Sequence, residues 1–276
     1  TSTSLPQMGT VGHGLPHLMP NHGTDAQRMA EHASQEVQRA KLTYDTRSWY
    51  RTFKFIKILD EPLFVIIPWA VFTAIGIPMV PTAVLEDPSA ELMVDMTFPV
   101  AAKVLSADLP HKTEAGAVKL GVGSEVELAG AIDEIRANVR KMKPDLVLDR
   151  FLVEEMVKGV GEVLVGFRLD PQVGPVVVLS PGGILAEVYA DSAIRMAPVT
   201  MDDARAMIGE VKGLAPLRGY RNLPKGDLGG LADAIVKISS LAEAANPPLD
   251  AETNPMIVGG EGKGVFAVDG LVIAAE

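Results

Sequence analysis

The sequence contains no cysteine and no excess of basic residues, and these two absences exclude several classes of protein. A chain without thiols has no disulfide framework, no thiolate nucleophile and no thiolate metal site, which agrees with a reducing compartment. The 35 acidic residues exceed the 25 basic ones, and the net charge of −10 is unfavourable for nucleic acids, whose binding requires clustered Lys and Arg. We therefore expect a cytoplasmic protein that binds any anionic ligand through a few local cations.

The composition and the predicted elements indicate a globular chain of mixed class. The 276 residues include 47% hydrophobic residues, 26 glycines and 20 prolines, which is ordinary for one or two folded domains. The spacing of apolar residues predicts helices over residues 124–141, 201–210 and 227–244. Strands are predicted over residues 151–157, 161–169, 176–179, 255–258 and 264–273, with the first two joined by a tight turn at residues 158–160. This interleaved order predicts an α/β or α+β fold with two layered lobes.

Residues 1–60 are predicted to lie outside the folded domain. Residues 1–23 are rich in Gly, Pro, Ser and Thr and should be largely disordered. Four of the five histidines fall within residues 1–32, where a solvated tail is favoured over a metal site. Residues 25–41 have the pattern of a polar helix, which would need a partner to be stable.

Residues 62–85 contain no charged residue and follow a basic, aromatic stretch. A membrane anchor with a positive cytoplasmic flank has this pattern. However, two prolines divide the run into segments of about nine residues, which are too short to cross a bilayer of about 30 Å. We therefore favour a short buried helix over residues 69–75 that ends at Gly76, and membrane contact through residues 47–85 is the less favoured alternative.

Residues 98–120 combine a buried strand, a loop and a second strand, and they contain cationic side chains. Lys103 interrupts the apolar run at residues 100–105, where a lysine either extends out of the sheet or meets an anion in a cleft. His111 and Lys112 follow at the tip of a loop that is rich in turn residues. Such a loop can hold a phosphate, because cations and backbone N–H groups match its charge and geometry. An ordinary surface loop has the same composition, so this pattern alone leaves both interpretations open.

Acidic and amide side chains lie at the ends of several predicted strands. They are Glu154 and Glu155 in one strand, Glu162 at the start of the next, and Glu252, Asn254 and Asp269 in the last pair. Glu252 and Asn254 are two residues apart and should share a face, and Asp269 lies across from them if the last strands form a hairpin. Three oxygen ligands on one patch would suit a Mg²⁺ ion that also contacts phosphates. Solvated strand ends give the same pattern, and these residues alone favour that second interpretation.

Several long segments carry a family resemblance. They are GIPMVP at residues 76–81, FPVAAKVLSADLPHKTEAGAVKLG at 98–121, FLVEEMV with GEVLVG from residue 151, DPQVGPVVVLSPGGILAEVYADSAIRMAP at 170–198, PLRGYRN at 216–222, and ETNPMIV followed by AVDG. In this order they resemble the ATP-grasp domain of ADP-forming acyl-CoA synthetases, the acetate–CoA ligase family related to the succinyl-CoA synthetase β subunit. The resemblance begins near residue 66 and implies an ATP-grasp domain over residues 61–276, with ATP bound between two lobes.

The resemblance also implies which residues contact the nucleotide. The residues that it assigns to ATP are Lys103, Lys112, Glu154, Glu155, Val157, Glu162 and Arg195. Lys103 matches a strand lysine that contacts the ATP phosphates, and Arg195 matches an arginine that we assign to phosphate binding. Residues 154–157 match the segment that frames the adenine, and Glu162 lies where a ribose or phosphate contact is expected.

A phosphoryl carrier and a magnesium site follow from the same resemblance. His111 matches the histidine that the nucleotide-binding subunit of this family uses as a second phosphate carrier, a role that a neutral imidazole can perform near pH 7. Asn254 and Asp269 match the magnesium-binding pair, with Glu252 in support. One departure is AGAV at residues 115–118, where the family usually has two adjacent glycines.

The implied function is that of a nucleotide-binding subunit of an ADP-forming acyl-CoA synthetase. The cofactors would be ATP and Mg²⁺, and the γ-phosphate would pass through a histidine on the way to the carboxylic acid. The family's CoA-binding and ligase domains have no counterpart in the sequence, so we expect a partner α subunit and a hetero-oligomer. The alternative is a non-catalytic ATP-grasp relic that serves as a structural, membrane-associated subunit of a larger complex.

Overall fold

The computed structural model describes residues 63–86, 96–106, 109, 112, 115–182 and 191–274. The helices are Leu63–Ala74 (α1), Glu125–Met142 (α2), Met201–Glu210 (α3) and Leu228–Ser239 (α4), with short 3₁₀ turns at Lys212–Leu214, Pro216–Arg218, Tyr220–Asn222 and Ser240–Glu243. The strands are Thr82–Glu86 (β1), Val100–Val104 (β2), Val118–Val122 (β3), Arg150–Glu155 (β4), Gly161–Asp170 (β5), Gly174–Pro181 (β6), Ala193–Met196 (β7), Asp250–Val258 (β8), Val265–Ala267 (β9) and Gly270–Ile273 (β10).

Within the described residues, strands β1 to β4 form one antiparallel sheet in the order β1-β4-β2-β3. Helix α2 packs on β2 and β3 of this sheet. Ser124 caps the helix through its side chain, and Leu128, Ile132 and Val139 are buried at helical spacing. This unit, which we name the small lobe, has its own hydrophobic core.

The other described strands form a second antiparallel sheet, with the order β10-β8-β5-β6-β7 and with β9 paired to β8. Helices α3 and α4 pack together on one face of this sheet. Val163, Val165 and Phe167 of β5 point into the core beneath the helices, because alternate residues of a strand share a face. Helix α1 joins the same core through Phe72, so we count it with this large lobe.

The connection between β4 and β5 differs from the prediction. Both strands exist, but β4 pairs with β1 and β2 in the small lobe, whereas β5 pairs with β6 and β8 in the large lobe. The predicted tight turn at residues 158–160 was therefore wrong, since residues 156–160 cross between the lobes. Gly159 sits close to the large sheet, where a Cβ atom would lie 2.3 Å from Cγ2 of Ile257 and 2.7 Å from the carbonyl oxygen of Val258.

The apolar segment before the small lobe forms a longer helix than predicted. Helix α1 starts at Leu63 rather than at residue 69 and contains Pro68, whose ring costs one backbone hydrogen bond to residue 64. Its end at Gly76, with φ of +76°, confirms the predicted stop. No helix among the described residues is long and apolar enough to cross a membrane. The predicted tail and polar helix of residues 1–60 lie outside the described residues.

Candidate functional site

Lys103 lies at the centre of the candidate site. Strand β2 runs between β4 and β3, so this lysine projects from an interior strand and its side chain is only 8% exposed. Its Nζ lies 2.7 Å from Oε2 of Glu154 and also donates a hydrogen bond to Oδ1 of Asp269. Burial alone would lower the pKa of Lys103, but the two carboxylates outweigh it and raise the pKa above its ordinary value. The lysine is therefore a permanent buried cation.

Glu154 is the buried partner of this lysine. It lies on β4 opposite Ala101 of β2 and is 4% exposed. Burial raises its pKa to about 7, although the charge of Lys103 opposes the rise. The charge of Lys112 also lowers this pKa, so the loop that follows β2 places its lysine within electrostatic range of Glu154. Lys103 and Lys112, which the resemblance assigns to ATP, thus both affect the pKa of Glu154, a third residue of that set.

Asp269 contributes the carboxylate of the other lobe. It lies between β9 and β10, and its carbonyl oxygen accepts a hydrogen bond from the backbone N–H of Asn254, 3.2 Å away. Its side chain is 53% exposed, in contrast to the buried Lys103 that it contacts. The pair therefore joins the two lobes and places Asp269 of the large lobe next to Lys103 of the small lobe.

Glu252 and Asp250 form a buried carboxyl pair on β8. Glu252 Oε2 and Asp250 Oδ1 are buried without a hydrogen-bond partner among the described residues. Burial raises the pKa of Glu252 to about 8, with a further rise from Asp250, and burial also raises the pKa of Asp250 to about 7 although Arg168 opposes it. Sequence reasoning missed Asp250. Residues two apart on a strand share a face, so the rule that placed Glu252 beside Asn254 also places Asp250 beside Glu252. This rule was the one signal that could have identified Asp250.

The described acidic residues do not form a metal site by themselves. No group of three or more His, Cys, Asp or Glu among the described residues is arranged to hold a metal ion. A register shift between Thr253 and Met256 interrupts the alternation on which the predicted shared face of Glu252 and Asn254 depends. Glu252, Asn254 and Asp269 carry the oxygen ligand types that Mg²⁺ prefers, and of these three the structure joins Asn254 and Asp269 through a backbone hydrogen bond.

Other predicted residues lie apart from Lys103. Glu155 points to the opposite side of β4 from Glu154 and accepts a hydrogen bond from the backbone N–H of Thr97, at 2.7 Å. Val157 belongs to the connection between the lobes, and Glu162 is exposed near the start of β5. His111 lies outside the described residues.

Arg195 is also remote from this cluster. It lies on β7 and pairs with Glu210 of α3 at 2.5 Å. Four strand spacings, about 19 Å, separate β7 from β10 across the sheet. The described contacts therefore do not bring Arg195 to Lys103.

Ala117 lies at the departure from the two adjacent glycines that the resemblance implies, and it belongs to the core of the small lobe. The residue is fully buried in the small-lobe core. Its N–H donates to the carbonyl oxygen of Lys112 at 2.8 Å, and its carbonyl oxygen accepts from the N–H of Val104 at 3.1 Å. The substitution thus adds apolar packing while the loop backbone stays hydrogen bonded.

Comparison with protein families gives a match to the ATP-grasp domain over residues 69–273. The chain is 36% identical over 190 residues to acetate–CoA ligase [ADP-forming] I of Archaeoglobus fulgidus. The matched region covers 68% of this chain and 28% of that protein. It is 32% identical over 206 residues to the β subunit of acetate–CoA ligase [ADP-forming] II of Pyrococcus furiosus, covering 74% and 87% respectively. The chain thus spans about a quarter of the first relative and most of the second.

Solved structures agree with these relatives. The dinucleotide-forming acetyl-coenzyme A synthetase 1 of Ca. Korarchaeum cryptofilum, in complex with coenzyme A, Ca-AMPCP and HgCl⁺, superimposes with a TM-score of 0.67 at 30% identity. The match covers 75% of this chain and 90% of that one. The same synthetase with coenzyme A and Mg-AMPPCP gives a TM-score of 0.62 at 29% identity, covering 74% and 88%.

Proposed function

The chain belongs to the ATP-grasp family and is homologous to the β subunits of ADP-forming acetate–CoA ligases, and from this premise we propose that it binds the nucleotide in such a ligase. The family match and the solved structures confirm the predicted ATP-grasp fold. The reaction would convert a carboxylic acid, CoA and ATP into acyl-CoA, ADP and phosphate. The domain limit at residue 61 and a cytoplasmic location stay predictions.

The observation that carries the proposal is the contact of Lys103 with Asp269 across the two lobes. A buried ammonium group held between lobes can neutralise the charge of a polyphosphate, and it is preorganised because Glu154 fixes it from beneath. The homologous synthetase holds Ca-AMPCP or Mg-AMPPCP, and both molecules are nucleotide analogues with a metal ion. Lys103 and the nearby Lys112 are thus the proposed phosphate contacts.

Glu252, Asn254 and Asp269 are the residues that would hold Mg²⁺, which when bound supplies charge neutralisation and orientation to the phosphates. Glu155, Val157 and Glu162 follow the chain from β4 to β5, and we assign them to the adenosine part, whereas the side chain of Glu154, which the resemblance also assigns there, holds Lys103. This assignment follows the family resemblance. The phosphate role of Arg195 stays a prediction from the resemblance, because Arg195 lies on β7, four strand spacings from β10, and pairs with Glu210.

His111 is proposed to receive the γ-phosphoryl group. An imidazole nitrogen would attack the γ-phosphorus while the bond to the bridging oxygen of ADP breaks, so ADP leaves with the electron pair. The phosphoryl group would then pass to the carboxylate of the acid, and the thiol of CoA would displace phosphate from the acyl phosphate. A partner α subunit with CoA-binding and ligase domains would supply these last steps, which makes the active form a hetero-oligomer.

The experiment is to incubate the purified chain with γ-labelled ATP and Mg²⁺, with and without a candidate ligase partner. We expect an acid-labile, base-stable label that disappears in His111→Ala, and nucleotide binding that is at least about tenfold weaker in Lys103→Met. Lys119→Met is the matched control, because Lys119 lies on the adjacent strand β3 and pairs with Glu134 at the surface.

No label under any condition, together with no nucleotide binding by calorimetry, would refute the proposal and favour a structural role for the chain. Weaker nucleotide binding in Lys119→Met as well as in Lys103→Met would show that a lysine change disturbs the fold rather than the site.

A further inference from the structure

Lys103 pairs with two carboxylates of different character, and we propose that Asp269 makes the cleft selective for the magnesium-bound nucleotide over the free nucleotide. This inference rests on the proposed function. It assigns to Asp269 a role in the absence of metal, in addition to its role as a candidate magnesium ligand.

Of the two carboxylates, Glu154 is the fixed partner and Asp269 the exchangeable one. Glu154 is 4% exposed on an interior strand, and breaking its pair would leave a buried charge unpaired. Asp269 is 53% exposed and lies between the three-residue strand β9 and the four-residue strand β10. Moving its side chain costs little, because solvent can replace the lysine.

Asp269 competes with a phosphate for the ammonium group of Lys103. The ammonium group has three protons to donate, and Glu154 and Asp269 both accept from it. A phosphate oxygen has the same preference for an ammonium group as a carboxylate oxygen. An incoming nucleotide without metal must therefore share Lys103 with Asp269 or displace it, and in either case it meets the negative charge of Asp269 beside its own.

Magnesium changes this competition. The ion prefers carboxylate oxygens, and Asp269 is next to Asn254, whose N–H donates to its carbonyl oxygen. A nucleotide that arrives with the ion offers Asp269 a new partner and frees Lys103 for the phosphate. The same carboxylate therefore opposes the free nucleotide and favours the magnesium complex.

The test is calorimetric titration of the chain with ATP, once with Mg²⁺ and once with a chelator, using the native protein and Asp269→Asn. In the chelator, we expect Asp269→Asn to bind ATP about three- to tenfold more tightly than the native chain, because the competing charge is gone. With Mg²⁺, we expect it to bind at least about tenfold more weakly, because a ligand of the ion is gone. The backbone hydrogen bond from Asn254 survives the substitution, and Asp269→Ala should change both affinities in the same directions.

Asp233→Asn is the matched control. Asp233 pairs with Lys237 at 2.7 Å and is 51% exposed, which closely matches the exposure of Asp269, but both residues lie on α4. Its affinities should equal those of the native chain in both conditions.

The outcomes separate this inference from the proposed function. If the native chain binds Mg-ATP but Asp269→Asn binds free ATP no more tightly than the native chain, the selectivity role is refuted and the proposed function stands. If the native chain binds ATP in neither condition, the proposed function fails and the selectivity role fails with it.

Discussion

Replacing Glu252 by glutamine should stabilise the fold and remove much of its sensitivity to alkaline pH. The carboxyl group has a buried Oε2 without a partner among the described residues, and burial raises its pKa from 4.5 to about 8. A raised pKa means that the folded state holds a proton that the unfolded state has released. The stability that protonation contributes is therefore fully present below about pH 4.5 and is lost as the pH rises to about 8.

The magnitude follows from the two pKa values. At pH 7 the unfolded carboxyl is ionised while the folded one stays protonated, which costs the fold about 3 kcal/mol at 1.36 kcal/mol per pKa unit. At pH 5 the same cost is below about 1 kcal/mol. Glutamine carries no titrating proton and has nearly the same shape, so Glu252→Gln should gain up to about 3 kcal/mol at pH 7 and little at pH 5. Asp250, whose pKa is raised to about 7, would leave a smaller slope in the variant.

The assay is urea denaturation of both proteins at half-unit steps from pH 5 to pH 8. The control is Glu261→Gln, because Glu261 is an exposed residue of the turn between β8 and β9 and should change the unfolding free energy by less than about 0.5 kcal/mol. Parallel pH curves for the native chain and Glu252→Gln, or a variant that is less stable at pH 7, would refute the reasoning. The stabilised variant should also require more Mg²⁺ for nucleotide binding, as expected when a functional carboxylate is removed.

Other substitutions test the packing. Gly159→Ala should cost about 2 to 3 kcal/mol of unfolding free energy, because its Cβ would overlap the large sheet, whereas Gly130→Ala at an exposed position of helix α2 should gain about 0.5 to 1 kcal/mol. Phe72→Ala should cost about 3 to 5 kcal/mol, while Trp69→Ala, 45% exposed on the same helix, should cost less than about 1 kcal/mol by thermal unfolding. Ala117→Gly should cost about 1 to 2 kcal/mol from its lost methyl contacts and backbone freedom, yet change ATP affinity less than twofold by calorimetry.

The local elements were largely predictable. Helix α3 has the bounds that were predicted, and α2 begins one residue after its predicted start at residue 124. Strands β8 and β9 were also predicted, because each of these elements depends on residues that are close in the chain, and their pairing meets the condition under which Asp269 was expected to face β8. The pairing between strands was harder to predict from the sequence. The crossing from β4 to β5 was mistaken for a turn because strands that are adjacent in the chain commonly pair.

For the candidate site, too, the residues were predictable but their contacts were not. The residue types and the family motifs identified Lys103, Glu154 and Asp269 as candidates, but they assigned Glu154 to the adenine and gave no sign that both carboxylates share one lysine. Asp250 was missed because an aspartate at the start of a strand has the same appearance whether it is solvated or buried. The environment, rather than the residue type, raises its pKa.

Residue spacing along the chain was thus sufficient for the helices, most strands and the chemical types at the site, since helix caps and side-chain periodicity act over a few residues. Tertiary structure alone decided that Lys103 meets Asp269, which lies 166 positions further along the chain, and that the meeting point is the junction of two lobes. Such contacts depend on which strands share a sheet and how the sheets pack, and no local pattern encodes these long-range choices.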